Sequence, residues 1–420
     1  MDATLNPPPL PEPKGSGTPA RSDGQGKEVD PHCVTSLVPE RAGVPLPGKA
    51  RRLLLHTWRV LKCQLLGTLG CLSIPGAVLL FGWTCRLVQR NARGHWARRL
   101  DEPRPDPRRL PRWIVSEDFR GHLEALRGGG FRNGVRRFFA AFLGSLGANL
   151  RTGFLVVLNS MILTLPGGLI MLFSWYSGWD NSFNKGYEQF AVGPILGWLG
   201  ILLFIAAMTY VPVAQARQAV TGSAKAFFNY RKVRDVIHRR PVACLALVAI
   251  YTLCGAIFMV ASSILMFAGN GWEALETMTN EQIISFLNGY HFWWAFLFIF
   301  PAFVILKLIA GRIYAGAAFD AVSDGSWKKE DLRGAEAEAL AKVPVRPNPP
   351  ALPGLMRAGL KTFGFFGRSV LRVGTFLLLL VFVFEIYIAQ FFNFQPASRW
   401  LRHPMVQLPW YHDVPGALKE

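Results

Sequence analysis

The chain has 420 residues, of which 51% are apolar and 17% charged, and it carries a formal net charge of +19. The charged share lies below the roughly one quarter typical of soluble domains, and the basic residues flank long apolar runs, where the positive-inside rule and anionic headgroups account for them. With no zinc-finger spacing, recognition helix or aromatic RNA-binding motif among those residues, the composition excludes a nucleic-acid binder and points to an integral membrane protein.

Residues 1–48 read as a disordered, Pro-rich cytoplasmic tail. Pro7, Pro8, Pro9, Pro11 and Pro13 precede a Gly/Ser-rich stretch with few large apolar residues, and such a segment cannot form a core. It has no signal-peptide hydrophobic stretch. Residues 49–392 form the expected helical membrane domain. Its hydrophobic segments are 65–85, 154–175, 192–214, 242–268, 292–310 and 373–392, each near the twenty or so residues that span a bilayer core of about 30 Å.

The first segment is interrupted at Pro75-Gly76 and the second at Pro166-Gly167-Gly168. Backbone groups freed inside lipid need protein or water around them, so both interruptions predict packed or re-entrant segments. Asn159, Ser160 and Thr164, just before Pro166, are placed to satisfy freed backbone groups or to line a polar space.

Loop charge sets the orientation. Residues 86–153 hold fifteen Arg against six acids, and 215–240 hold seven Lys/Arg against one Asp. Residues 312–372 are again basic, whereas 269–291 carry three Glu and no Lys or Arg. This predicts cytoplasmic loops at 86–153, 215–240 and 312–372, with a short external C-terminal tail at 393–420. The first segment has basic flanks on both sides, which favours a hairpin turning at Pro75-Gly76. Phe131, Val135, Phe138, Phe139, Phe142 and Leu146 recur at helical spacing with Arg132, Arg136 and Arg137 beside them, the pattern of a helix in the headgroup plane. Arg86 and Arg90 join these three arginines as candidate headgroup contacts. Thr279 and Gln282 predict a capping box opening a short helix that ends at Asn288-Gly289.

The chain also repeats weakly. Ala216 to Ser223 is similar to Ala318 to Ser326 with one insertion, each closing an apolar run with a Gly turn. Gly suits the left-handed residue that ends a helix. Gly94 holds the corresponding place after the first run.

Gly82-Trp83-Thr84-Cys85-Arg86-Leu87-Val88-Gln89-Arg90-Asn91-Ala92-Arg93-Gly94, then Leu110-Pro111-Arg112-Trp113 and Glu117-Asp118-Phe119, form one set of motifs. Val211 to Arg217, with Gly222, Ala226-Phe227 and Asn229, forms another. Together they resemble a bacterial multi-pass membrane family known as domain of unknown function 4013, over roughly residues 55–260. The Arg-rich insert between Gly94 and Leu110 and the extra C-terminal pair of spans depart from that pattern. The resemblance implies a helical membrane fold and no particular activity.

Glu385 stands inside the sixth apolar run, where a carboxylate is costly and often marks a pathway or proton site. Lys307 lies near one end of the fifth run and is read as snorkelling to the interface. No catalytic motif appears: there is no HExxH, nucleophile elbow or P-loop. The six Cys form no CxxC pair, so no disulfide framework, metal site or cofactor is expected. The fold class is therefore all-α and polytopic, with five to six hydrophobic segments, in the inner membrane. The expected role is a non-enzymatic component that organises anionic lipids or a partner protein, a homo-oligomer included. A permease using the interrupted helices and Glu385 is the alternative, and a lipid-acting enzyme is a further one.

Overall fold

The computed structural model describes residues 49–102, 131–174, 192–268, 277–345, parts of 359–377, and 405–409. The chain divides into Met1–Leu53 and Leu54–Glu420. Of the first unit only residues 49–53 are described, at the start of a helix; all other described residues belong to the second unit. Glu385 and most of the sixth apolar run lie outside the described residues.

Among the described residues there is helix and no strand. The helices are α1 (Lys49–Cys71), α2 (Ile74–Arg99), α3 (Phe131–Ser174), α4 (Val192–Thr221), α5 (Ala224–Phe227), α6 (Tyr230–Arg239), α7 (Pro241–Ala268), α8 (Asn280–Trp294), α9 (Phe300–Ser323) and α10 (Ala335–Leu340). A π-helical turn, Ala295–Ile299, joins α8 to α9. Among the described residues three stretches are long and apolar enough to cross a membrane: Phe142–Ser174, Ile195–Thr221 and Asn280–Ser323. The pair Tyr230–Arg239 and Pro241–Gly255, bent by 98°, would make a fourth.

The way α3 distributes its side chains explains why it belongs in lipid. Phe154, Leu158, Ile162, Leu165, Leu169 and Phe173 are all exposed, and their spacing of three and four puts them on one face. The opposite face buries Asn159, Ser160 and Thr164. A helix of a water-soluble domain points its apolar stripe inward; here that stripe faces out and polar groups face in.

The interruption at Pro75 is a true helix break. Leu72 and Ser73 separate α1 from α2, Ser73 caps α2 by accepting from the Gly76 amide at 3.2 Å, and Pro75 occupies the first turn, where its missing N–H costs nothing. The two helices do not pack along their lengths as hairpin arms. Instead α2 packs on α3, α9 and α4, while Gly67 of α1 lies against the Phe300 ring.

The expected break at Pro166 is not one: α3 runs unbroken for 44 residues through it. Gly167 serves a different purpose. A Cβ there would lie 2.7 Å from the Phe204 amide nitrogen, and one on Gly200 would lie 2.8 Å from that of Met171. Paired small residues let two backbones approach closely, so Gly167 and Gly200 mark the crossing of α3 and α4. The stretch from Phe131, expected as a headgroup-plane helix, is continuous with the rest of α3, and the apolar span begins only at Phe142. That sequence is the first part of the same rod, which at about 1.5 Å per residue is twice as long as a bilayer core is thick. Likewise 86–153 is not simply a loop, since α2 reaches Arg99 and α3 begins at Phe131.

The capping box is present: Gln282 N–H donates to Thr279 Oγ1 at 3.4 Å and Thr279 N–H to Gln282 Oε1 at 3.0 Å. The helix it opens does not stop at Gly289, however, and continues as one rod to Ser323. Pro301 leaves its mark in that rod. The Phe300 N–H bonds five residues back to Ala295, and in that register the Phe296 carbonyl would serve residue 301, which has no N–H. The Gln64 side-chain amide of α1 donates to the Phe296 carbonyl instead. The two Gly turns expected from the repeat are both present: Gly222 after α4 has φ 68° and Gly325 after α9 has φ 76°. Gly94 is not equivalent, for it lies within α2.

Candidate functional site

Two polar constructions stand out, one at an end of the bundle and one in its interior. The first is a cleft of about 1370 Å³ bounded by Arg217, Lys225, α6 and residues 326–333. Its walls carry eight Lys/Arg (Arg217, Lys225, Arg231, Lys232, Arg234, Arg239, Lys328 and Arg333) against three carboxylates, Asp235, Glu330 and Asp331. Two of those carboxylates are committed. Asp235 accepts from Arg239 Nε at 3.0 Å and from the Trp327 indole at 2.8 Å. Lys232 Nζ donates to the Asp331 carbonyl at 3.0 Å and lies 4.0 Å from its carboxylate. Among the described residues Lys225, Arg231, Lys328 and Arg333 have no carboxylate partner.

The cleft is built on a tightly tied turn. Arg217, at the end of α4, is 2% exposed and donates to the Ala226 carbonyl at 3.1 Å. The Tyr210 hydroxyl donates to the Phe227 carbonyl, and the Asn159 amide donates to the Ala224 carbonyl at 3.2 Å. Asn229 then caps α6 by accepting from the Lys232 N–H. Behind Arg217, Glu336 of α10 is fully buried, its Oε1 3.8 Å from Arg217 Nε and accepting from the Tyr314 hydroxyl. Burial pushes the Glu336 carboxyl up to about 7, outweighing the opposite pull of Arg217 and Lys232.

The second construction surrounds Lys307, which does not snorkel: it is 3% exposed. Its Nζ donates to Gln215 Oε1 at 2.5 Å and to the Val406 carbonyl at 3.3 Å, with the Tyr251 hydroxyl at 3.5 Å. The rings of Phe81, Phe303 and Tyr251 lie 5.0–5.8 Å from it. The Gln215 amide donates to Ser160 Oγ at 2.6 Å and to the Val406 carbonyl at 2.7 Å. The Gln407 amide donates to Thr164 Oγ1. Met405–Pro409 are thus wholly buried among α3, α4 and α9; this part of the expected external tail is packed into the bundle.

Residues 131–267 match the protein family described as "Protein of unknown function (DUF4013)". The matched stretch is about a third of the chain and contains Asn159, Arg217, Ala226 and Asn229, the residues that tie the turn beneath the cleft. The exit-helix motif at Gly82–Gly94 lies outside it. No curated protein and no solved structure matches the chain.

The residues singled out in the sequence fall unevenly on this geometry. Asn159, 5% exposed, joins the turn to α3, donating also to Gln218 Oε1 at 3.0 Å. Pro75 and Gly76 lie at the α1–α2 break, and Pro166 faces outward one residue before the crossing at Gly167. Arg86 and Arg90 are half-buried on α2 and Arg136 is exposed on α3; the side chains of Arg132 and Arg137 lie outside the described residues. Arg86, Arg90 and Arg136 do not line the cleft. Sequence reasoning passed over Gln215, Arg217 and Lys307 as site residues, although each is a polar group within or at the end of an apolar run, the signal that singled out Glu385.

Proposed function

We propose that this protein is a non-enzymatic component of the inner membrane that gathers anionic, phosphate-bearing headgroups in the basic cleft, with the cleft on the cytoplasmic side. One observation carries the reading: a cleft at the end of apolar helices holds eight Lys/Arg against three carboxylates, so its field attracts anions at the depth where headgroups lie. Trp327 and Tyr230 on its walls suit the same interfacial level.

The test uses full-length protein in nanodiscs of zwitterionic lipid doped with phosphatidylglycerol. Native mass spectrometry should find phosphatidylglycerol retained over phosphatidylcholine, and retention should weaken with salt. A quadruple variant, Lys225→Gln, Arg231→Gln, Lys328→Gln and Arg333→Gln, changes residues without carboxylate partners and should lose most of that preference. Equal retention of both lipids by the wild type ends the proposal.

A permease reading draws on the polar centre at Lys307. The chain's own residues 405–409 fill that centre, which supports the lipid reading over the permease.

A further inference from the structure

Lys307 presents an electrostatic imbalance at the heart of the bundle. Among the described residues, the groups that touch its Nζ are neutral: an amide oxygen, a peptide carbonyl, a phenol and three ring faces. Among the described residues no carboxylate lies within ion-pair distance. A buried ammonium without a counter-charge is costly, and interior ionisable groups in membrane proteins ordinarily serve a ligand or a pathway.

The donors also converge. Gln215 is fixed end to end: its carbonyl oxygen accepts from Lys307, and its amide is aimed by Ser160 Oγ at the Val406 carbonyl. The Val406 oxygen therefore receives an ammonium at 3.3 Å and an amide at 2.7 Å. Two convergent donors, one charged, on a single oxygen make the pattern that binds an anionic oxygen. A neutral peptide carbonyl fills the geometry, and among the described residues no carboxylate balances the ammonium. The carrier of that carbonyl is a short segment, Met405–Pro409, held by side-chain hydrogen bonds from Gln215 and Lys307 to Val406 and from Gln407 to Thr164, and by apolar packing.

We infer that Lys307 and Gln215 form an interior binding site for a small carboxylate, and that the Val406 carbonyl of the C-terminal segment stands in for the carboxylate oxygen. Aromatic faces around the ammonium suit a small, partly apolar acid such as acetate better than a heavily hydrated phosphate. The carboxylate supplies the charge that Val406 lacks, so ligand and segment exclude one another. Nothing in this depends on the basic cleft.

The test compares full-length protein with a chain ending at residue 404, both in nanodiscs, by calorimetric titration with sodium acetate, chloride or inorganic phosphate. The shortened chain should bind acetate at least tenfold more tightly than the full-length protein, and Lys307→Met in it should abolish binding. Acetate binding unchanged by shortening, or surviving Lys307→Met, overturns the site. Chloride or phosphate binding as tightly as acetate overturns the carboxylate assignment. Should the shortened chain lose helicity by circular dichroism, full-length protein carrying Gln407→Ala and Leu408→Ser, which loosens the segment without removing it, carries the same comparison with the same outcomes.

Discussion

Arg217 Nε lies 3.8 Å from Glu336 Oε1, and the two side chains are 3% and 0% exposed. A carboxyl beside a guanidinium ordinarily loses its proton more easily, yet full burial dominates and raises Glu336 from 4.5 to about 7. The folded state then binds a proton that the unfolded state releases. The contribution is fully present below about pH 4.5 and is lost as pH rises towards and through 7. Thermal melts in detergent across that window should show stability falling with rising pH, and Glu336→Gln should flatten the dependence. An unchanged slope in the variant would place the titration elsewhere.

The crossing of α3 and α4 is set by contact between backbones. Gly167→Val adds atoms where a single Cβ would already lie 2.7 Å from the Phe204 nitrogen and 2.9 Å from the Gly200 carbonyl. Backbone cannot yield as a flexible side chain can, so the variant should lose about 3 kcal/mol or more, at the upper end of overpacking costs. Gly144→Val, on the same helix where nothing lies within 4 Å, should be nearly neutral. Equal denaturation midpoints for the two variants would refute the close-crossing account.

Gln64 and Pro301 should be energetically coupled through the Phe296 carbonyl. Gln64→Leu leaves that acceptor without its side-chain donor, at a cost of about 1–3 kcal/mol. Pro301→Ala restores a backbone N–H able to serve the rod, so Gln64→Leu should cost less in that background. A double-mutant cycle reads the coupling directly, and strict additivity would exclude it.

Trp327 offers an optical report on the cleft. Its indole donates to Asp235 at 2.8 Å, and its ring lies 5.1 Å from Lys232 Nζ. An anion drawn to Lys232 changes the charge over that ring. Adding phosphatidylglycerol to protein in neutral detergent should shift tryptophan emission, and Trp327→Phe should remove the shift. A shift that persists in the variant would locate the lipid away from the cleft.

Much of this architecture was legible residue by residue. Apolar runs near bilayer length, the Gly turns at Gly222 and Gly325, the capping box at Thr279 and the break at Ser73–Pro75 all depend on neighbours a few positions away. Their physics is local: a cap, a left-handed residue or a missing N–H acts within a turn or two. Pro166 misled because a proline in sequence looks like a break, whereas in the fold it is carried through a continuous helix.

The sequence by itself therefore determined the class, a helical membrane protein with basic connections, because bilayer thickness and charge act on composition and spacing alone. Only the tertiary structure decided where its polar groups meet. Arg217 finds Glu336 across more than a hundred residues, and Lys307 finds Gln215 and Val406 at comparable separations. No periodicity encodes such meetings. They arise because burying a polar group in the bundle is costly, and the helices close in the arrangement that sets Glu336 beside Arg217 and hydrogen-bond acceptors around Lys307.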